Sequence, residues 1–420
     1  MKRHLFVQTG AGAMAGAVLP RISVAAEPSA LKFALLAPLS GPSAAAGHDM
    51  VDGWGLYWKQ HGDVVAGRKI VTTTYDTNSN PTRALDQVRR AIEQDGAQIV
   101  VGPYLANEGL AIAPYTEAHK IPLILPTVSA DDLSQRQVSP FVIKVAGWTS
   151  SLPTHAAGVW AYEQGYRKVV TLANNYAFGY ENAGGFCQTF VERGGRILNQ
   201  LWPPLGTTDY SPYISQLQAA NADAVFACTV GADAVHFLEQ WKSFGLKGKV
   251  PLIGNETTTD QSNIRSLAPD VVDGVISFGH YAEGRDDPAT RDFVLAYGKA
   301  QGVLPSYMAT SFNTAAGWLS TALKSVNGNT AGYLTFLSAI RSVKLANSPL
   351  GPMKLDQYNA PIENVYLRKV VATSGPAARY AKTWNVVLKT YPAVSQFWTY
   401  RPSDYLKQPS YTPSYQGFTK

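Results

Sequence analysis

The stretch IVVGPYLANEGLAIAPYTEAHKIPLILPTVSADDLS, residues 99–134, narrows most what this chain can fold into. Its apolar run Ile99–Val101, closed by Gly102 and Pro103, predicts a strand buried on both faces. Ala106, Leu110, Ala113 and Thr116 with Glu117 then recur at helical spacing, and that helix must end before Ile121 and Pro122. A second apolar run, residues 121–125, stops at Pro126. A strand-helix-strand unit of this kind closes with a right-handed crossover, leaving its two strands parallel. The loops that follow the strands, residues 103–107 and 126–131, therefore emerge at the carboxyl edge of a parallel sheet, where open α/β sheets hold ligands. The first loop also presents N–H groups at a helix N-terminus, a seat for a carboxylate. Two short polar loops at one edge suit a small anion or zwitterion.

The same alternation runs through the rest of the chain. Residues 31–47, LKFALLAPLSGPSAAAG, read as a buried strand and a loop, residues 40–47, at that same edge. A helix over 50–61, a strand over 69–75 and an amphipathic helix over 82–95, with Ala84, Val88, Ala91 and Ile92 on one face, lead into the stretch above. This is one doubly wound lobe. After residue 144 the pattern restarts, with predicted strands at 168–173, 196–201, 224–228 and 251–253. Each strand that should face a partner ends in polar or aromatic residues: 174–178, 229–231 and 254–259. Two α/β lobes with ligand-type loops imply a cleft between them. Helices over 288–301, 307–326 and 333–343 and a strand over 364–372 follow. The last segment, 383–420, rich in Tyr, Pro and Trp, is expected as an extended arm packed on the second lobe.

A length of 420 residues exceeds one ordinary core, which agrees with two lobes. Residues 1–26 read as an export signal: Lys2 and Arg3, a Gly-rich apolar run, Arg21, and small residues up to Ala26. The Lys2-Arg3 pair resembles a weakened twin-arginine signal, so a periplasmic location is expected. Removing those three basic residues and no acid lowers the formal charge from +6 to +3, too slight for nucleic acid or an anionic membrane. In an oxidising compartment Cys187 and Cys228 are either a disulfide or two buried thiols. No histidines or cysteines stand at metal-ligand spacing, and neither a cofactor nor a metal is expected. Nor is there a nucleophile elbow, an HExxH pair or a phosphate loop. The carboxylate pairs Asp131-Asp132 and Asp286-Asp287 sit in turns, so no catalytic residue is assigned.

In their order and spacing several segments resemble the leucine/isoleucine/valine-binding family, the periplasmic substrate-binding proteins of ATP-binding-cassette (ABC) importers with the type I periplasmic-binding fold. They are LLAPLSGPSAAAG, YDTNSNP, VVGPYLANEGLAIAP with IPLILPTVSADDL, NNYAFGYE, LIGNET, DGVISF and SPLGPMKLD. The resemblance implies an α/β molecule of two doubly wound three-layer lobes, residues 31–147 with 279–352 and 148–278 with 353–382. It places hinge crossovers near Gly147, Phe278 and Pro352. It implies a monomeric receptor that closes on a small apolar amino acid of the branched-chain type, with an aromatic carboxylate as the alternative, and delivers it to an ABC permease of the inner membrane. A sensor handing its signal to a membrane receptor is the other partner class.

Carried onto this chain, the resemblance puts carboxylate and ammonium anchors at Ala106, Thr127, Ser129 and Glu256, with side-chain contacts at Ala45, Tyr104, Leu105, Phe178 and Val230. Ser129 offers a hydroxyl and an N–H at a strand tip; its competing role is a helix N-cap before Asp131. Ala106 stands where the family usually has serine, so a hydroxyl is lost. Glu256 would meet an α-ammonium, or else be a solvated loop acid. Phe178 and Tyr104 can stack on an apolar side chain or an aromatic ring, or belong to the core. Trp148 lines the cleft or packs the hinge. Glu256 favours a branched-chain amino acid; Ala106, Phe178 and the aromatic tail favour a benzoate- or cinnamate-like acid.

Overall fold

A computed structural model describes residues 1 and 30–413. Residues 2–29, which hold the segment read as an export signal apart from Met1, and residues 414–420 lie outside the described residues. The first half of the molecule is laid down by β1 (Leu31–Ala37), α1 (Ala44–His61), β2 (Val64–Val65), β3 (Arg68–Asp76), α2 (Pro81–Glu93), β4 (Ile99–Val101), α3 (Ala106–Ala118), β5 (Leu123–Ile124) and β6 (Val142–Ile143). Its sheet runs β2-β3-β1-β4-β5-β6, all parallel but for the β2–β3 hairpin. The interior strand β1, LKFALLA, is buried at every position except Lys32, which is why it reads as a continuous apolar run. Helix α2 starts where Asn80 accepts from the Arg83 N–H and Pro81 presets the first turn, and it buries Ala84, Val88 and Ala91.

The second half begins with α4 (Leu152–Glu163) and continues through β7 (Lys168–Ala173), α5 (Ala177–Glu192), β8 (Arg196–Leu201), α6 (Ser211–Ala219), β9 (Ala224–Cys228), α7 (Ala232–Ser243), β10 (Leu252–Asn255), α8 (Gln261–Ile264), α9 (Pro269–Val272) and β11 (Ile276–Gly279). Its parallel strands take the order β8-β7-β9-β10-β11. The chain then returns to the first half as α10 (Pro288–Gln301), α11 (Tyr307–Ser325) and α12 (Tyr333–Ser342). Helix α11 lies so close to α1 that a Cβ on Gly53 would sit 2.0 Å from the Ala309 carbonyl oxygen. Only glycine permits that approach.

β12 (Lys344–Leu345), β13 (Met353–Leu355), β14 (Pro361–Ala372) and β15 (Thr383–Val394) add an antiparallel extension to the second sheet, and a short α13 (Pro402–Tyr405) follows. The chain crosses between halves within residues 144–151, within 280–287, and just before β12. The third crossing thus precedes the position expected near Pro352, because β12 already pairs with β13.

The segment expected as an extended arm packed on the second lobe is given a definite form by the structure: residues 383–394 are an edge strand along β14, which Pro392 hid and whose register shift opposite Glu363 and Val365 absorbs that proline. Beyond β15 the tail touches both halves, since Arg136 Nη2 of the first donates to the Gln408 carbonyl at 2.8 Å and Gln188 Nε2 of the second donates to Gln408 Oε1 at 3.3 Å. Cys187 and Cys228 are both free and buried, the second of their two readings. Among the described residues no helix is long and apolar enough to cross a membrane.

Candidate ligand-binding crevice

In each parallel sheet the winding reverses once, between β1 and β4 in the first and between β7 and β9 in the second. Ligands of such sheets sit outside the carboxyl ends of the strands flanking that point. The loops there meet across the two halves. Tyr104, Leu105 and Ala106 follow β4, Thr127 and Ser129 follow β5, Tyr176 and Phe178 follow β7, Val230 follows β9, Thr257 follows β10, and Tyr307 opens α11. Together they line a tight crevice with about 10 Å³ of open space, roughly what one water needs and far below the roughly 300–1,000 Å³ of drug-sized clefts. A roomier hollow of about 260 Å³ beside Trp384 shares no residue with it.

Seven residues expected from sequence are therefore brought together: Tyr104, Leu105, Ala106, Thr127, Ser129, Phe178 and Val230. Ser129 is no helix cap. The turn at Asp131 is preceded by Ala130 without a side-chain cap, and the Ser129 hydroxyl accepts from the Ser150 hydroxyl at 3.0 Å, leaving its own proton for another acceptor. Behind it the Lys144 ammonium donates to the Ser129 carbonyl at 3.1 Å and the Ala130 carbonyl at 2.6 Å. Burial pulls that ammonium down to about 8 against the opposing charges of Asp131 and Glu181. The Thr127 hydroxyl donates to the Pro103 carbonyl at 3.1 Å and keeps its acceptor capacity. At the start of α3, Glu108 takes the Leu105 N–H at 2.8 Å; the Ala106 N–H is a first-turn donor outside the intrahelical ladder. No lining side chain is charged, and four of the ten are aromatic. Tyr104 is buried at the lining.

Trp148 packs behind this wall, edge-on to Phe178 at 5.6 Å and stacked on His280 at 5.4 Å, so it supports the crossover rather than lining the crevice. Ala45 is exposed in the first turn of α1 and lies outside the lining; the helix begins at Ala44, which removes Ala45 from the loop that sequence assigned to it.

A family model described as periplasmic binding protein matches residues 30–376. The chain belongs to that family. The curated relatives of this periplasmic binding protein include Leu/Ile/Val-binding protein homolog 6 of Brucella melitensis, 26% identical over 360 residues that cover 84% of this chain and 91% of the relative. Among solved structures it is similar to a solute-binding protein of an ABC transporter from Rhodopseudomonas palustris in complex with 3,4-dihydroxybenzoic acid (TM-score 0.82, 26% identical, covering 87% of this chain and 98% of that one). A second R. palustris solute-binding protein, in complex with benzoate, has a TM-score of 0.80 at 25% identity, with 87% and 97% covered. The leucine-binding protein of Thermotoga maritima, at 22% identity and a TM-score of 0.72 over 81% of this chain and 95% of that one, shares the fold. This is therefore a type I periplasmic binding protein of an ABC transporter, a family that binds small molecules for delivery to a permease.

In this binding protein Glu256 does not reach the crevice. Its carboxylate is saturated: Oε2 accepts from the His280 N–H at 3.1 Å and from His280 Nδ1, and Oε1 accepts from the Tyr281 N–H at 3.0 Å and from Arg368 Nη1 at 3.1 Å. Burial pushes the Glu256 carboxyl up, but the charges of His280 and Arg368 outweigh it and hold the group below its ordinary range. Burial likewise pulls His280 down, and Glu256 overcomes it, raising the imidazole. The ammonium partner expected at Glu256 is thus supplied from within the protein, and the residue acts as a structural staple beside the second crossover. Sequence reasoning missed Tyr176, Thr257, Tyr307 and Arg368. The first two lie inside motifs already singled out. Arg368, an arginine in the strand run NVYLRKVVA, carried a usable signal, because a charge on a buried strand demands a partner.

Proposed function

We propose that the crevice captures an aromatic carboxylate of the benzoate or cinnamate type for an importer. The single observation that carries this is the saturation of Glu256: no acid is left at the lining to meet an α-ammonium, whereas four aromatic rings await an apolar body. The carboxylate sits on the Ala106 N–H at the head of α3 and on the Ser129 hydroxyl, with the Lys144 ammonium one shell behind. The ring lies among Tyr104, Tyr176, Phe178 and Tyr307. The two sheets with their helices act as lobes that shut on the ligand, and the closed receptor presents it to a membrane permease after export to the periplasm. The benzoate and dihydroxybenzoate complexes of the similar solved structures support this ligand class. The competing reading, a branched-chain amino acid, draws on the names of the curated relatives.

Calorimetric titration of the ligand-stripped mature protein against leucine, phenylalanine, benzoate, 4-hydroxybenzoate and p-coumarate decides between them. An aromatic acid should bind and leucine should not. Ser129→Ala should cost the best aromatic acid about 1.5–3 kcal/mol, the worth of a hydrogen bond to a charged group. Unchanged affinity in that variant rules out the anchor, and tight leucine binding rules out the ligand class.

A further inference from the structure

We propose that Asp49 and Arg265 form a latch that holds the two halves of the molecule together over the crevice without touching the ligand. Asp49 lies on α1 of the first half, and Arg265 ends α8 of the second. Arg265 Nη1 donates to both carboxylate oxygens, at 3.0 and 3.2 Å, and the Tyr297 hydroxyl of α10 donates to Oδ1 at 3.3 Å. Asp49 is 2% exposed, and neither residue of the pair lines the crevice.

The pair bridges the halves, so it exists only while they are together. Shielding from water strengthens the attraction and makes loss of either partner costly, since the other charge is left buried. The charged and titratable groups facing Asp49 are Arg265 and Asp260 from the second half and Tyr297 from α10. Burial pushes the carboxyl up to about 6 against the attraction of Arg265, so the pair is ionised at neutral pH. Two further contacts join the halves nearby: the Ala232 N–H donates to the Pro42 carbonyl at 3.3 Å, and the Tyr307 N–H donates to Asp260 at 3.0 Å. An interaction confined to the closed state shifts the population toward closure and slows release. It thereby contributes to the affinity for any ligand that needs closure.

The inference rests on closure over a small molecule, as proposed above, and not on which molecule it is. Its test is a double-mutant cycle of Asp49→Asn, Arg265→Gln and both together, with Arg265→Lys as the conservative variant. Affinity and stopped-flow rates are read with whichever of benzoate and leucine binds the unmodified protein more tightly. Each single substitution should weaken binding about tenfold or more, through faster release, with association changed by less than roughly twofold. The double variant should bind no more weakly than the poorer single, Arg265→Lys should recover part of the loss, and the ligand-free melting temperatures should be unchanged. Equal affinity and equal release rates in all four proteins would overturn the latch. So would losses that merely track a lower ligand-free melting temperature. Leucine binding more tightly than benzoate would overturn the aromatic reading and still leave the cycle to be read with leucine.

Discussion

Arg368→Ala is expected to destabilise the protein by about 3–5 kcal/mol in urea unfolding at pH 7, the cost of leaving one member of a buried ion pair alone. Arg368 stands on β14 opposite Ser277 of β11. Its guanidinium reaches the Ser277 hydroxyl, Glu256 Oε1, the Glu256 and Tyr281 carbonyls and the Thr259 hydroxyl, all within 3.2 Å. Removing it leaves the Glu256 carboxylate buried with only His280 as a charged partner and strips donors from two carbonyl groups. The same network predicts a pH window. The lowered Glu256 contributes stability that is present above about 4.5 and lost as pH falls through its folded value. The raised His280 contributes stability that is full below about 6.5 and lost as pH rises through its folded value. Their joint contribution is largest between those limits, and His280→Gln should flatten it. If Arg368→Ala unfolds with the same midpoint as the unmodified protein, the staple carries no load.

Glu363→Met is expected to raise stability at pH 8 by on the order of 4 kcal/mol, with little change near pH 4.5. Both carboxyl oxygens of Glu363 are buried, and among the described residues neither has a hydrogen-bond partner. Burial pushes the group up to about 8, with the nearby charge of His280 pulling it down and that of Glu256 pushing it further up. The folded protein therefore keeps it protonated while the unfolded chain ionises it above about 4.5. Stability from this group is complete below that pH, declines as pH rises, and is gone beyond about 8. An apolar side chain of similar size removes the slope, because it leaves no buried acid to protonate. Glu283, pushed up to about 7 by burial despite Arg368, adds a smaller decline in the same direction. Unfolding curves collected between pH 5 and 8 check this: parallel stability profiles for Glu363→Met and the parent would show that the carboxyl finds a partner in solution.

What the sequence could and could not disclose follows from the range of the forces involved. Strands β4, β7 and β9 were legible to the residue because interior parallel strands are continuous apolar runs bounded by turn residues, and the edge strand β8, RILNQL, because its apolar residues are interleaved with polar ones, which is local information. The lining residues Tyr104 to Ala106 and Ser129 were legible for the same reason: a strand tip in a doubly wound sheet is a position that topology assigns. Glu256 was misread because its partners, His280 and Arg368, lie 24 and 112 residues further along the chain. Spacing says nothing about which distant strand will lie beside it. Tyr307 was invisible as a lining residue because a crossover brings its helix back over the first half. Strand β15 was hidden by a proline that an edge strand tolerates at a bulge.

In the proposed complex an aromatic acid lies between the strand tips of the two halves with its carboxylate on the first half. The most direct measurement is a crystal structure of the ligand-stripped mature protein grown with 4-hydroxybenzoate. Density is expected in the crevice, with the carboxylate on the Ala106 N–H and the Ser129 hydroxyl and the ring among Tyr104, Tyr176, Phe178 and Tyr307. A ligand seated in the hollow beside Trp384 instead, or an amino acid in the crevice with its ammonium on a Glu256 freed from Arg368, would contradict it.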